Sequence, residues 1–257
     1  TWAVIAAPEF SIEPKRWCFP VVGCLSYRGY FNEGEAEKEG TELRQKGFDV
    51  EVAGSPAYST LGWFDDPLLN TVIYRSEAHL AEVIFHELVH QKLYISGDTA
   101  FNEAFAVAVS RHGVQKWFTQ SGNTKAQNDY RTLTQRRTQF RRLMLNTQAA
   151  LGKLYSSTLN QTEMRSEKKE GFKQMQQEYR KLKSSWDGYS GFDDWMAQDL
   201  NNAHLALIAT YHELVPPLLK LIERCDNDLP RFYRQVEQWE KLESNHRITK
   251  LRKGRCS

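Results

Sequence analysis

An α+β fold is predicted, with an N-terminal β-sheet and a largely helical C-terminal half. Three observations carry that reading. Residues 1–75 hold short β-branched and aromatic runs separated by Gly, Pro and Asn, the pattern of strands and turns. From Ser76 the apolar residues change period, with Leu80, Val83, Ile84, Leu88 and Leu93 recurring at helical spacing. Residues 125–184 contain two glycines, no proline and many Gln, Arg, Lys and Glu, which suits a long helical hairpin.

Within the strand-rich part, strands are predicted at Trp2–Ala7, Phe19–Val22, Leu25–Phe31, Phe48–Val52 and Thr71–Tyr74. A charged helix at 33–46 interrupts them and stops at Gly47, a plausible glycine just past a helix end. Ser76 can cap a helix beginning at Glu77. The loop Ser96-Gly97-Asp98 leads to a second helix from Thr99 to His112, closed by Gly113. A stripe of Leu133, Phe140, Met144, Leu151 and Leu154 marks the first arm of the hairpin. A break at Ser156–Thr162 and a return helix to Trp186 complete it. A turn over Trp186–Trp195 precedes a helix at Asn201–Leu214, disturbed by Pro216 and Pro217. A last amphipathic helix, Leu229–Ser244, is followed by a basic tail. No internal repeat is visible. Three segments follow: a core at 1–118, a basic hairpin arm at 119–190, and C-terminal helices at 191–257 that complete a cleft.

The 257 residues, 40% hydrophobic with 7 Trp, 11 Tyr and 13 Phe, suffice for one domain of good size or two small ones. No apolar run approaches the roughly 18 residues of a membrane-spanning helix. The formal net charge of +2 hides a split, because residues 125–183 carry 14 Lys/Arg against 5 Asp/Glu. That basic insert has a net charge of +9, and the remainder of the chain −7. Thr1 opens directly on a strand-like run, so the chain reads as processed or truncated, with any signal or lipid anchor upstream.

The chemistry concentrates at His86-Glu87-Leu88-Val89-His90, an H-E-x-x-H pattern inside a predicted helix. Residues i and i+4 share a helical face, so both imidazoles can meet one zinc ion. Glu87 can then reach the metal's water as general base. Such a match arises in on the order of one random chain in a hundred, and its helical placement lowers that further. A helix with two satisfied core histidines is the bland alternative, but it would need partners for three ionisable groups on one face. A catalytic zinc needs a third protein ligand and an open fourth position. Glu103, thirteen residues after His90 and set among Phe101, Phe105 and Val107, is the candidate. Asp98 can partner a ligand histidine from behind, cap the Glu103 helix, or do both.

His86–Gln91 (HELVHQ) and Asn102–Ala106 (NEAFA) resemble the zinc and third-ligand motifs of gluzincins of the aminopeptidase N type. The resemblance implies a zincin-like fold, with His86, His90 and Glu103 as zinc ligands and Glu87 as general base. The spacing here is shorter, and no GAMEN-like segment, the amino-terminus anchor of those enzymes, lies upstream. Longer strings are similar to a bacterial family designated as zinc aminopeptidases: AAPEF (6–10), WCFPVVGCLSYRGYF (17–31), AYSTLGWFDDPLL (57–69), FHELVHQKLY (85–94), GDTAFNEAFA (97–106) and NNAHLALIATY (201–211). Members of that family are often predicted lipoproteins with an extra N-terminal helical region. The resemblance implies a peptide substrate, one Zn²⁺, and a periplasmic, membrane-tethered setting in the bacterial cell envelope.

Peptide hydrolysis also needs a donor to the developing oxyanion. Tyr211 is the first choice, with His212 and Tyr94 as substitutes. Asn201 and Asn202 either bond substrate backbone or cap their helix. Tyr58, Ser59 and Thr60 lie where gluzincins place an edge strand that pairs with substrate, and Asp65 and Asp66 are candidates to hold an α-amino group. Cys18 and Cys24 can close a small disulfide loop or remain two buried thiols. All four cysteines, with Cys225 and Cys256, allow three fully paired connectivities. The basic hairpin reads as a solvated arm, a contact to anionic membrane, or a nucleic-acid surface. Its few aromatics disfavour the last, so no nucleic-acid partner is expected, while a missing anchor or the hairpin offers membrane association. The resulting expectation is a zinc peptidase, an aminopeptidase first. The rivals are a zinc endopeptidase and a zinc-stabilised binding module acting through the hairpin.

Overall fold

A computed structural model describes residues 1–19, 23–54, 76–206 and 214–256. The expected strand at Thr71–Tyr74, the end of that at Phe19–Val22 and much of the helix at Asn201–Leu214 lie outside the described residues. The fold is mixed α+β, with helices predominating over a small antiparallel sheet. The chain forms two compact units, neither of them a continuous stretch. One comprises Thr1–Phe19, Cys24–Ser55 and Asp129–Ala209; the other comprises Pro20–Gly23, Pro56–Asn128 and Thr210–Ser257.

In the first unit, β1 (Trp2–Pro8) is the central strand, antiparallel to β4 (Arg28–Tyr30) on one side and β5 (Phe48–Gly54) on the other. The run predicted as one strand at Leu25–Phe31 is divided. Gly23–Leu25 (β3) pairs with Trp17–Phe19 (β2) as a separate ribbon, and a bend at Ser26-Tyr27 releases β4 to the main sheet. A Cys18–Cys24 disulfide holds that ribbon. Helix α1 (Glu33–Gln45) is capped by Asn32, whose side chain accepts the Glu35 N–H, and it stops where Gly47 takes φ +82°. A side chain there would be strained, so the predicted stop signal operates.

The two faces of the sheet bury different partners, as strand alternation requires. Val4, Ala6 and Val50 pack with Trp17 and with Ala36 and Leu43 of α1. Ile5 and Ala7 pack instead with Ala203 and Ala206, from residues 202–206, which are helical. Glu51 is paired in register with Ile5 and therefore shares this second face. Burial pushes its carboxyl up to about 7 from an ordinary 4.5. Its folded-state pKa is raised, so the folded protein holds the proton longer than the unfolded chain does. The Glu51 contribution to stability is therefore fullest below pH 4.5, declines as pH rises to 7, and levels off above. Integrated over that window, the loss reaches up to about 3 kcal/mol. Glu51→Gln should flatten that slope, matching wild type at pH 4.5 and exceeding it at pH 8 in urea melts.

The hairpin takes the predicted form. Helices α4 (Thr124–Tyr155) and α5 (Gln161–Ser184) flank a break, and Asn160 with Glu163 makes a reciprocal capping box that starts the return arm. Phe140, Met144 and Leu151 of the predicted stripe interlock with Phe172, Met175 and Tyr179. Phe140 stacks on Phe192 with centroids 4.2 Å apart, just before the short helix α6 (Asp193–Met196). Polar ties anchor α5 to the sheet unit: Lys168 Nζ reaches Asp49 Oδ2 at 2.6 Å and Glu9 O at 2.9 Å, and Arg165 pairs with Glu9.

The second unit is built around α2 (Glu77–Lys92) and α3 (Thr99–Ser121). Ser76 caps α2 as predicted, accepting the His79 N–H. The predicted stop of the next helix at Gly113 is corrected: α3 continues to Ser121 and ends at Gly122, which takes φ +68°. Gly113 serves packing, since a Cβ there would stand 3.0 Å from the Phe85 ring. Pro216 and Pro217 fall in the first turn of α7 (Val215–Arg224), where their missing N–H groups cost nothing. The predicted helix Leu229–Ser244 is also corrected. It ends as α8 (Leu229–Glu237): the Trp239 and Glu240 N–H groups turn back to Val236 O and Glu237 O, and the carbonyls of Trp239, Glu240 and Leu242 accept from buried Arg247. The basic tail folds as α9 (Ser244–Lys253), tied back by a Cys225–Cys256 disulfide that closes a separation of 31 residues. A crosslink of that length stabilises by about 3–4 kcal/mol in the chain-entropy view. Phe101, Phe105 and Phe232 stack at the centre of this unit. Among the described residues, no helix is long and apolar enough to cross a membrane.

Candidate metal centre

Helix geometry sets the first half of the site. His86 and His90, one turn apart on α2, bring their Nε2 atoms to 3.1 Å, with ring centroids 4.8 Å apart and planes nearly perpendicular. The third group arrives from α3. Glu103 places Oε2 3.3 Å from His86 Nε2 and Oε1 3.6 Å from His90 Nε2. These three residues form a group whose donor atoms could hold a metal ion. Ligand atoms about 2.0–2.2 Å from a tetrahedral ion stand roughly 3.3–3.6 Å apart, so both Glu103 separations fit and the 3.1 Å between the imidazoles falls slightly short. Among the described residues no fourth side chain joins the two imidazoles and the carboxylate, a three-donor set of the kind that catalytic sites use.

The route by which Glu103 gets there differs from the sequence argument. Phe101 and Phe105 are fully buried in the aromatic core, and helical spacing turns Glu103 to the opposite side of α3. Its side chain is 36% exposed, against 21% for His86 and 6% for His90. A carboxylate faces the histidines because its neighbours face away. The turn between the helices is fixed by Asn102, a residue to which the sequence alone assigns no role. Its buried amide donates to Ile95 O at 2.8 Å, and its Oδ1 accepts the Ile95 N–H at 2.9 Å. The Asn-Glu dipeptide therefore sets the loop and supplies the ligand from adjacent positions.

Electrostatics separates the two histidines. Burial pulls the His86 imidazole down, but the hydrogen bond and charge of Glu103, aided by Glu87 and Glu82, outweigh it and the net shift is upward. Burial dominates at His90, over the opposing charge of Glu103, and its pKa falls. A depressed imidazole presents the neutral ring that a metal requires. Glu87 Oε2 and His90 Nδ1 are both buried and, among the described residues, have no protein hydrogen-bond partner. An unmade hydrogen bond of this kind is costly. A carboxylate kept next to a ligand histidine with one oxygen uncommitted is the state a proton acceptor needs.

The remaining candidates are distributed otherwise. Asp98 takes the cap role: Oδ1 accepts the Phe101 N–H at 3.1 Å, and Oδ2 accepts from Ser244 Oγ and from Arg247. Arg247 is itself buried and lies over the Phe101 ring. Asp98 thus joins α3 to α9, and among the described residues its carboxylate bonds no histidine. Tyr94 edges toward His90 with centroids 6.5 Å apart and is 41% exposed. Asn201 caps the 202–206 turn, accepting the Ala203 N–H at 3.0 Å. Asn202 is wholly buried. It accepts from Tyr155 Oη at 2.7 Å and donates to Pro8 O and Glu9 O, and its own N–H goes to Asp49. Those groups are engaged within the sheet unit. Tyr211, His212, Tyr58, Ser59, Thr60, Asp65 and Asp66 lie outside the described residues.

A mixed α+β chain bearing a two-histidine, one-carboxylate group suited to a metal ion is thus defined by fold and site. Residues 1–251 match the model of a family described as "putative aminopeptidase". The chain belongs to that family. No curated protein and no solved structure matches it.

Proposed function

We propose that this protein is a zinc-dependent aminopeptidase of gluzincin type. The observation that carries the reading is the meeting of His86 Nε2, His90 Nε2 and the Glu103 carboxylate at 3.1–3.6 Å, beside a Glu87 oxygen that is buried and uncommitted. The family description supports peptide hydrolysis from an amino terminus. His86, His90 and Glu103 hold the ion. A bound zinc supplies Lewis-acid polarisation and lowers the pKa of water it coordinates from 15.7 toward about 7.

Glu87 takes the proton of the attacking water and later returns it to the leaving amine. Tyr211 donates to the developing oxyanion, with His212 or Tyr94 as substitutes. Tyr58, Ser59 and Thr60 line an extended substrate through main-chain pairing, and Asp65 or Asp66 receives its α-amino group. The segments 1–118 and 191–257 contribute the catalytic parts, and 119–190 is accessory. Two disulfides favour an oxidising compartment, in keeping with a periplasmic lipoprotein.

Turnover of amino-acid amides against N-blocked, internally quenched peptides tests this reading, on protein stripped by a chelator and reloaded with zinc. Cleavage of free-amine substrates only, restored by one equivalent of zinc, is expected. Cleavage of the blocked peptides would make the protein an endopeptidase. Failure of every peptide pool at full zinc loading would leave a binding module.

A further inference from the structure

The acidic partners of the basic insert are unevenly placed. On α5 the charges are largely compensated: Arg165 pairs with Glu9, Lys168 with Asp49, Lys173 with Glu170, Lys181 with Glu178 and Lys183 with Asp193. On α4 the situation is different. Residues 130–155 hold five Arg and one Lys, with no Asp or Glu. Three of these cations, Arg131, Arg142 and Lys153, are exposed and stand eleven residues apart.

Eleven residues are close to three full helical turns, so successive members drift by only about 20° and the three form one row. At 1.5 Å per residue the row is about 33 Å long. It lies opposite the face that buries Phe140, Met144 and Leu151. The exposed positions between the cations are Thr132, Gln135, Thr138, Gln139, Asn146, Ala149 and Ala150, all neutral. Among the described residues none of the three cations forms a salt bridge, and none has a carboxylate at the i+3 or i+4 helix positions. Arg131, Arg142 and Lys153 therefore present positive charge without a carboxylate among their helical neighbours, and an external anion can meet it.

We infer that the Arg131–Arg142–Lys153 row is a docking surface for an anionic bilayer, along which α4 lies in the plane of the headgroups. The partner chemistry follows from the charge and the setting. A straight, evenly spaced row without exposed aromatics offers no stacking platform for single-stranded nucleic acid. Two disulfides favour an oxidising compartment, and an anionic bilayer offers an extended phosphate surface that complements a row of this length. The face carries no large apolar side chain among its exposed positions, so the contact is electrostatic and reversible rather than inserted. It does not depend on the peptidase reading.

Co-sedimentation of the full chain with vesicles tests it. Binding to phosphatidylglycerol/phosphatidylcholine vesicles is expected at low ionic strength. Binding should be absent with phosphatidylcholine alone and lost near 1 M salt, where the Debye length is about 3 Å. Each cation contributes about a fivefold factor near such a surface, so R131Q/R142Q/K153Q should lower the partition coefficient roughly 100-fold. R131K/R142K, which keeps the charge, should bind as wild type does. K241Q/K250Q/K253Q, which removes three exposed cations of the other unit, should also bind normally. Circular dichroism melts of each variant confirm folding. Absence of binding to anionic vesicles, or an equal loss in the K241Q/K250Q/K253Q control, would overturn the assignment. So would displacement of the vesicles by a DNA duplex at equal phosphate.

Discussion

Glu87→Gln is expected to lower kcat/KM by about 10²–10⁴, the usual reach of a general base, while zinc content stays at one per chain. The separation of the two readouts follows from the site. His86, His90 and Glu103 form the group that could hold a metal ion, and Glu87 is not part of it, so the amide leaves the donor set intact. What is removed is a carboxylate oxygen that is buried and uncommitted. The protein tolerates that oxygen at a cost in stability. The variant should accordingly melt at the wild-type temperature or slightly above it, the trade-off expected of a residue kept for chemistry. Metal analysis, thermal melts and turnover on the same sample check all three. Full turnover at stoichiometric zinc would remove Glu87 from the mechanism.

Asn202→Ala should cost about 2–4 kcal/mol of unfolding free energy, a large part of the 5–15 kcal/mol that a domain has in total. The wholly buried amide satisfies Tyr155 Oη, Pro8 O and Glu9 O together. Truncation leaves the tyrosine hydroxyl and the Pro8 carbonyl without it in a buried setting, at about 1–3 kcal/mol each. Lys168 still reaches Glu9 O, which limits the loss. Tyr155→Phe removes only one donor and should cost about 1 kcal/mol. Urea midpoints give the comparison directly. A variant that keeps its midpoint yet loses turnover would return Asn202 to the substrate-binding role the sequence suggested.

These two residues show what a sequence can and cannot display. Glu87 is legible because its chemistry is written in five consecutive positions, and helix periodicity alone puts His86 and His90 on one face. Asn202 is not, because its partners lie 47, 153, 193 and 194 residues away, and no local period records them. Gly113 reads locally as a helix stop, yet it is the point where α3 admits the Phe85 ring. Asp98 offers both a cap and a histidine partner until Arg247, 149 residues distant, takes its second oxygen. The linear segments 1–118, 119–190 and 191–257 respect changes in composition. The compact units follow contacts, and they join the sheet to the hairpin and α2 and α3 to the C-terminal helices.

By itself the sequence determined what nearest neighbours decide: the α+β class, the Ser76 cap, the stop at Gly47, the helical hairpin and the spacing of the two histidines. Each is a preference that acts within about four residues, where backbone geometry leaves few alternatives. The sequence nominated Glu103, but tertiary structure decided how it reaches the histidines, because a carboxylate thirteen residues beyond His90 does so when Asn102 fixes the turn at Ile95 and Phe101 and Phe105 claim the opposite face of the helix. Packing chose the side on which that charge emerges.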